Sequence, residues 1–403
     1  MRCFEGKHMV RRYEQVQCFS KEEMRRRRAV TRQIMKSQDV GVLILIDGYW
    51  EGYSQWLVGT RNAHYVVLPM EGPAFVVFDR RTEWFAFAEE ATDIPKDPEI
   101  CAVGSMEEIF LKELFKGQGG RRLGFIHLEA ISLELDRYLK EVVPDMEWTD
   151  ITAELAPVKA TKSQEELELI EASVEVHEKV MGALPAIIRP GRTVMEVDRE
   201  MRHLCRELGS GNGECLSLSL QAGSGFHGAV PYREGFWPYP ENRLKKGDQI
   251  SVLLETNGPG GHFSAIGRHF SLGPPPDEDF YYWNLALKMQ DFAAKRLKPG
   301  VSVKEIYDAN AEYISELGGR TVPRNYLHSL GYCFGEKPFL FDKTETIPLR
   351  ENMVYIVHPY VVFTRKSSPG FSGEDEMYAV DTYRVTPGGG ARQNKVPREI
   401  IIL

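Results

Sequence analysis

The chain has 403 residues, 42% of them hydrophobic and 27% charged, which is the balance of a folded globular protein of about two or three domains. Its formal net charge of -8 gives no reason to expect nucleic acid or an anionic membrane as partner, and no apolar run approaches the roughly 18 residues of a membrane span. The six cysteines form no C-x-x-C pair and the first residues lack the apolar core of an export signal, so free thiols in the cytoplasm are expected.

In chain order, "KEEMRRRRAVTRQIMKSQ" places Met24, Ala29, Val30, Ile34 and Met35 at helical spacing, which predicts a helix with Arg25–Arg28 on a solvated face. "VGVLILI" (40–46) suits a buried strand, and "AHYVVLPMEGPAFVVFD" (63–79) reads as a hairpin around Gly-Pro. "RRLGFIHL" (121–128) is a further strand and "LELDRYLKEVV" (133–143) a helix, so residues 20–150 read as a sheet covered by helices. Pro157 is expected to break the chain, with domains of 1–158 and 159–403 on either side. Ser163 and Glu166 then match a capping box, opening a long helix to about Leu184.

The second part holds an internal repeat. "IRPGRTVMEVDREMRHLCRELG" (188–209) matches "LKPGVSVKEIYDANAEYISELG" (297–318) at an offset of 109 residues. Each copy has Pro-Gly, a cap (Thr193 or Ser302), a glutamate three residues on (Glu196 or Glu305), and a Leu-Gly stop. Each is followed by a strand-rich stretch, 215–273 and 321–386. Two copies of one unit imply a pseudo-twofold domain, with the cleft between its halves as the default site.

This layout resembles the creatinase/prolidase/methionine-aminopeptidase superfamily, the pita-bread fold. The resemblance is carried by "KSQEELELIEAS", the paired Pro-Gly helices, "NRLKKGDQISVLLETNGPGGHFSAIGRHFSLG", "HSLGYCFG", "NMVYIVHP" and "YAVDTYRVT". "EGYSQWLVGT" before a hairpin looks like the smaller N-terminal domain of the creatinase and prolidase branches. The implied fold class is α/β (α+β): a pita-bread C-terminal domain with pseudo-twofold symmetry, preceded by a smaller α/β creatinase-type domain.

The peptidases of this family hold two metal ions through two Asp, one His and two Glu, and the resemblance places other residues at all five positions. The first Asp falls at Leu253, with Glu255 two residues on, and the second at Ala265. The His of H-x-x-G-H-G falls at Tyr332, the first Glu at His358 and the last Glu at Val380, before Asp381. Two adjacent metal ions need several anionic oxygens, which Leu, Ala, Tyr and Val do not supply. The reading is therefore of no metal and no cofactor, although one ion on Glu255, His328 and His358 is a chemically reasonable ligand set.

Creatinase shows that this fold works without metal, using a histidine and glutamates on a small guanidino-carboxylate. The expected catalytic group here is His358, His328, Glu255 and Tyr332. Either histidine would act as base, Glu255 would orient it, and Tyr332 would donate a hydrogen bond to developing charge. Each has a plain structural reading beside this one: a core histidine, a turn carboxylate, a ring filling vacated space. His262 and His269, flanking the strand of the lost second Asp, are expected to be solvated or capped. Candidate substrate contacts are Arg61 and His64 in "GTRNAHY", His227 in the glycine-rich "GSGFHGAVP", Trp237 in the aromatic "GFWPYP", and Asp381. The creatinase branch implies a homodimer in which the N-terminal domain of one subunit lies near the cleft of the other, with Arg61 clamping the substrate carboxylate.

Three functions follow as expectations. The first is a metal-independent hydrolase or lyase acting on a C–N (or similar) bond of a small, charged, carboxylate-bearing molecule. The second is an Xaa-Pro-type metallopeptidase with an atypical ligand set. The third is a non-catalytic pita-bread binding protein, as in histone-chaperone domains of this fold.

Overall fold

Two compact units meet in sequence between Lys159 and Ala160. The structure, a computed structural model, describes residues 19–46, 51–60, 63–77, 97–116, 118, 122–210, 213–220, 243–317, 327–333, 335–336, 346–359, 361–364, 374–377 and 379–403. Among these residues no helix is long and apolar enough to cross a membrane.

The first unit is a sheet of β1 (Val40–Leu45), β2 (Tyr65–Pro69), β3 (Ala74–Val77), β4 (Ile100–Val103), β5 (Arg122–Ile126) and β6 (Glu147–Asp150), in the order β4-β3-β2-β1-β5-β6. β1 runs antiparallel to β2 and parallel to β5, and all six of its residues are buried, which is why it reads as unbroken apolar sequence. The helix Lys21–Ser37 opens on Ser20, whose hydroxyl accepts from the Glu23 N–H.

The arginine run on this helix is not a solvated face, and that expectation is corrected for two of its members. Arg27 and Arg28 are 0% and 1% exposed. Arg27 pairs with Glu23 at 2.7 Å and lies over the Phe19 ring at 4.0 Å, while Arg28 pairs with Asp97 at 3.0 Å and Glu99 at 2.7 Å. Arg27 also donates to the Trp56 carbonyl, and the partners of Arg28 come from another segment, which the local sequence pattern does not reveal. Pro157, expected to break the chain, lies inside the helix Thr152–Ala160.

The second unit is an eight-stranded sheet. Its main path is β10 (Leu327–Ser329), β11 (Val354–Val357), β14 (Val380–Thr386), β9 (Phe263–Ser271), β8 (Gln249–Asn257) and β7 (Gly213–Leu220). β15 (Gly389–Arg392) pairs with β14 and β16 (Ile401–Ile402) with β9, and a separate ribbon joins β12 (Val361–Thr364) to β13 (Glu374–Met377).

The internal repeat appears as matched structure. Thr193 with Glu196, and Ser302 with Glu305, each form a complete capping box. The preceding glycines take the same left-handed turn, Gly191 at φ 88° and Gly300 at φ 91°, where a side chain would be strained. Their N–H groups donate to equivalent carbonyls, Leu244 and Leu349. Each repeat helix packs its own half of the sheet: Val194, Val197 and Met201 against Ile250, Val252 and Leu254, and Val303, Ile306 and Ile314 against Tyr355, Val357 and Tyr383. The opposite face carries a third cluster, Leu253, Phe263, Ala265, Ile356 and Val380, closed by Ile170 of the capped helix Gln164–Ile187. This is the mixed α/β pita-bread architecture with its smaller N-terminal unit.

Candidate active site

Strand alternation decides which side chains meet. On β8, Val252 and Leu254 face the repeat helix, so Leu253 and Glu255 face the other way. Glu255 pairs with Ala265 across the ladder, and Leu253 and Val380 both pair with Gly267. Space at Gly267 is tight, since a Cβ there would lie 2.5 Å from Val380 Cγ2. On β11, Val354 and Ile356 share the face of Leu253, and His358 follows at the same alternation. His328 on β10 pairs with Ile356 and joins that face.

The result is a buried polar group set against an apolar floor. His328 Nε2 lies 3.3 Å from Glu255 Oε1. The His328 and His358 rings meet edge to face, 4.9 Å apart at an interplanar angle of 88°. Burial, and then the charge of His328, hold the His358 pKa well below the usual histidine value, so His358 is a neutral imidazole near pH 7. Three of the four residues expected to be catalytic therefore stand together.

Tyr332 follows β10 in a tight loop. Its ring tilts against His262, centroids 4.3 Å apart, and His262 Nε2 lies 3.6 Å from Glu166 Oε1. Its backbone N–H donates to Glu336 Oε1 at 2.9 Å, and Glu336 Oε2 accepts from Lys162 Nζ at 2.7 Å. The Glu336 carboxylate fills the place of a side chain at Gly331, where an added Cβ would fall 1.8 Å from Oε1.

His262 and His269 are fully buried, which corrects their expected solvation. His269 is held by Gln249 at 3.1 Å and Ser251 at 3.3 Å. Asp381 lies on the opposite face of the sheet from Glu255, His328 and His358, because it alternates with Val380 and Thr382 and pairs with Val357. Its carboxylate is locked to Arg268 at 2.8 Å, with Arg392 at 3.7 Å, so this geometry does not give it the substrate contact expected from its neighbour in sequence. His64 lies in the first unit, its ring against Tyr65 and its N–H donating to the Val77 carbonyl. Arg61, His227 and Trp237 lie outside the described residues.

Sequence reasoning missed His177 and Glu166. His177 Nε2 contacts Thr256 Oγ1 at 2.7 Å and Nδ1 contacts Ser264 Oγ at 2.9 Å, and burial pushes its pKa down to about 3. Thr256 and Ser264 are two of several polar residues in fully buried strands, and nothing local to His177 announces that it meets them. For Glu166, the capping-box role hid the contact of its second carboxylate oxygen.

Of the five positions at which the family resemblance places metal ligands, Leu253, Ala265 and Val380 form the apolar cluster just described. Among the described residues no group of three or more His, Cys, Asp or Glu side chains is placed to hold a metal ion. That cluster itself offers no anionic oxygen to a metal ion.

Comparison with known proteins adds a family. The model of metallopeptidase family M24 matches residues 168–391. The Xaa-Pro dipeptidase of Pyrococcus furiosus is 25% identical over 277 residues, covering 68% of this chain and 74% of that protein. The creatinase of a Bacillus species is 22% identical over 356 residues, covering 85% of this chain and 82% of that protein. Among solved structures, an Xaa-Pro dipeptidase from Bacillus anthracis superposes with a TM-score of 0.74 at 21% identity, covering 94% of this chain and 100% of that one.

Proposed function

Because this chain belongs to metallopeptidase family M24, we propose that it is a hydrolase of a C–N bond in a small, carboxylate-bearing molecule. The observation that carries the reading is the buried Glu255–His328–His358 group beside an apolar floor of Leu253, Ala265 and Val380. In this reading the chemistry is metal-independent. His328 is the general base, because Glu255 stands against its Nε2 and stabilises the imidazolium that forms when it takes a proton from water. His358 is the poorer base, since a strongly depressed pKa weakens its hold on a proton. It serves as a neutral hydrogen-bonding group, and Tyr332 is the donor to developing negative charge. The carboxylate clamp is Arg61, supplied by the N-terminal domain of a second subunit in a homodimer.

A second reading is favoured by a specific finding: relatives and structural neighbours are named Xaa-Pro dipeptidases. It makes the substrate an Xaa-Pro dipeptide, itself a small C–N-bonded carboxylate, and requires a metal. Glu255, His328 and His358 are the side chains that would move together to bind a single ion.

One assay series separates the two. The purified protein is offered Xaa-Pro dipeptides and creatine-like guanidino-carboxylates, each in chelator and with added Mn²⁺ or Co²⁺. The first reading expects turnover that chelator does not reduce and that His328→Ala lowers. It is abandoned if His328→Ala and His358→Ala each keep full turnover, or if activity appears only with metal.

A further inference from the structure

Two charged side chains at the start of the helix Gln164–Ile187, one just before its cap and one in its first turn, reach toward the surroundings of the same residue. Lys162, two residues before the helix, pairs with Glu336 at 2.7 Å, and Glu336 accepts the Tyr332 N–H at 2.9 Å. Glu166 of the capping box lies 3.6 Å from His262, whose ring tilts against the Tyr332 ring. One arm thus holds the Tyr332 backbone and the other its ring. Lys162, Glu166, His262, Glu336 and Tyr332 are all buried.

The surrounding bonds tighten both arms. Ser163 donates its N–H to Glu166 Oε2, which fixes that carboxylate at the helix start. Lys162 donates its N–H to the Asn352 carbonyl, which fixes the backbone beneath the ammonium group. Phe263, next to His262, donates its N–H to the Gly331 carbonyl, next to Tyr332. A buried ion pair contributes little net stability over an apolar pair of the same volume. It does impose a direction on its partners.

We infer that Lys162 and Glu166 are positioning residues: acting through Glu336 and His262, they fix the conformation of Tyr332 in the loop that follows His328 of the Glu255–His328–His358 group. This rests on the reading of that group as the reactive centre, but its test does not.

The test uses the full chain with 3-fluorotyrosine incorporated at position 332 and reads its ¹⁹F NMR line. Lys162→Met/Glu336→Met removes both charges together, so no buried charge is left unpaired and folding is kept. Glu166→Gln breaks the second arm. Val197→Ala, in the core of the opposite face, is the control for stability loss alone. The inference predicts a shifted or split ¹⁹F line in the double variant and in Glu166→Gln, with an unchanged line in Val197→Ala. An unchanged line in both arm variants overturns it, as does an equal shift in the control. Turnover is measured separately on the same proteins with Tyr332 unlabelled. Full turnover with a displaced ¹⁹F line would leave the positioning intact and count against Tyr332 as a participant in the reaction.

Discussion

At the residue scale, the account assigns proton transfer to one histidine among several. His328→Ala and Glu255→Gln should each lower turnover by about 10²- to 10⁴-fold, the range of general acid–base catalysis, as read from kcat on the best substrate. His177 gives a prediction about pH that needs no substrate. Its folded pKa is about 3 against an ordinary value of 6.5, so the unfolded chain binds the additional proton between these limits. Stability is therefore fully present above 6.5 and is lost as pH falls towards 3; His358, also depressed, adds in the same direction. Urea unfolding should find about 2 kcal/mol less stability at pH 5 than at pH 7.5 from His177 alone, and His177→Gln should flatten that slope. Glu255, His328 and His358 were singled out in sequence through the family resemblance, which sets each at or near a position where the family keeps a site residue. Asp381 was misleading because one step along a strand changes the face. Glu166 and His262 meet across nearly a hundred residues, and nothing local to either announces the contact.

At the element scale, the repeat was readable because capping chemistry is local. Thr193→Ala and Ser302→Ala should each cost about 1 kcal/mol in urea unfolding, with similar values expected since both boxes close the same two backbone N–H bonds. The arginine run shows the converse. Its helix was evident from spacing, but the burial of Arg27 and Arg28 depends on Trp56, Asp97 and Glu99, which lie elsewhere in the chain. Pro157 was read as a break by its type, yet the helix Thr152–Ala160 contains it.

At the scale of the whole molecule, the fold belongs to a family named for its metals while the floor of this site is apolar. Leu253→Asp would place a carboxylate among Ala265, Ile356 and Val380, and should cost about 3 kcal/mol or more in the absence of metal, since it buries an uncompensated charge. Thermal unfolding of that variant in chelator measures the loss. The most direct test of the central claim is elemental analysis of the untagged protein, purified with Mn, Co, Zn and Fe all available. The account predicts metal far below one ion per chain in protein that is active. One or two tightly held ions per chain would contradict it, and would make Glu255, His328 and His358 metal ligands where acid and base are proposed here.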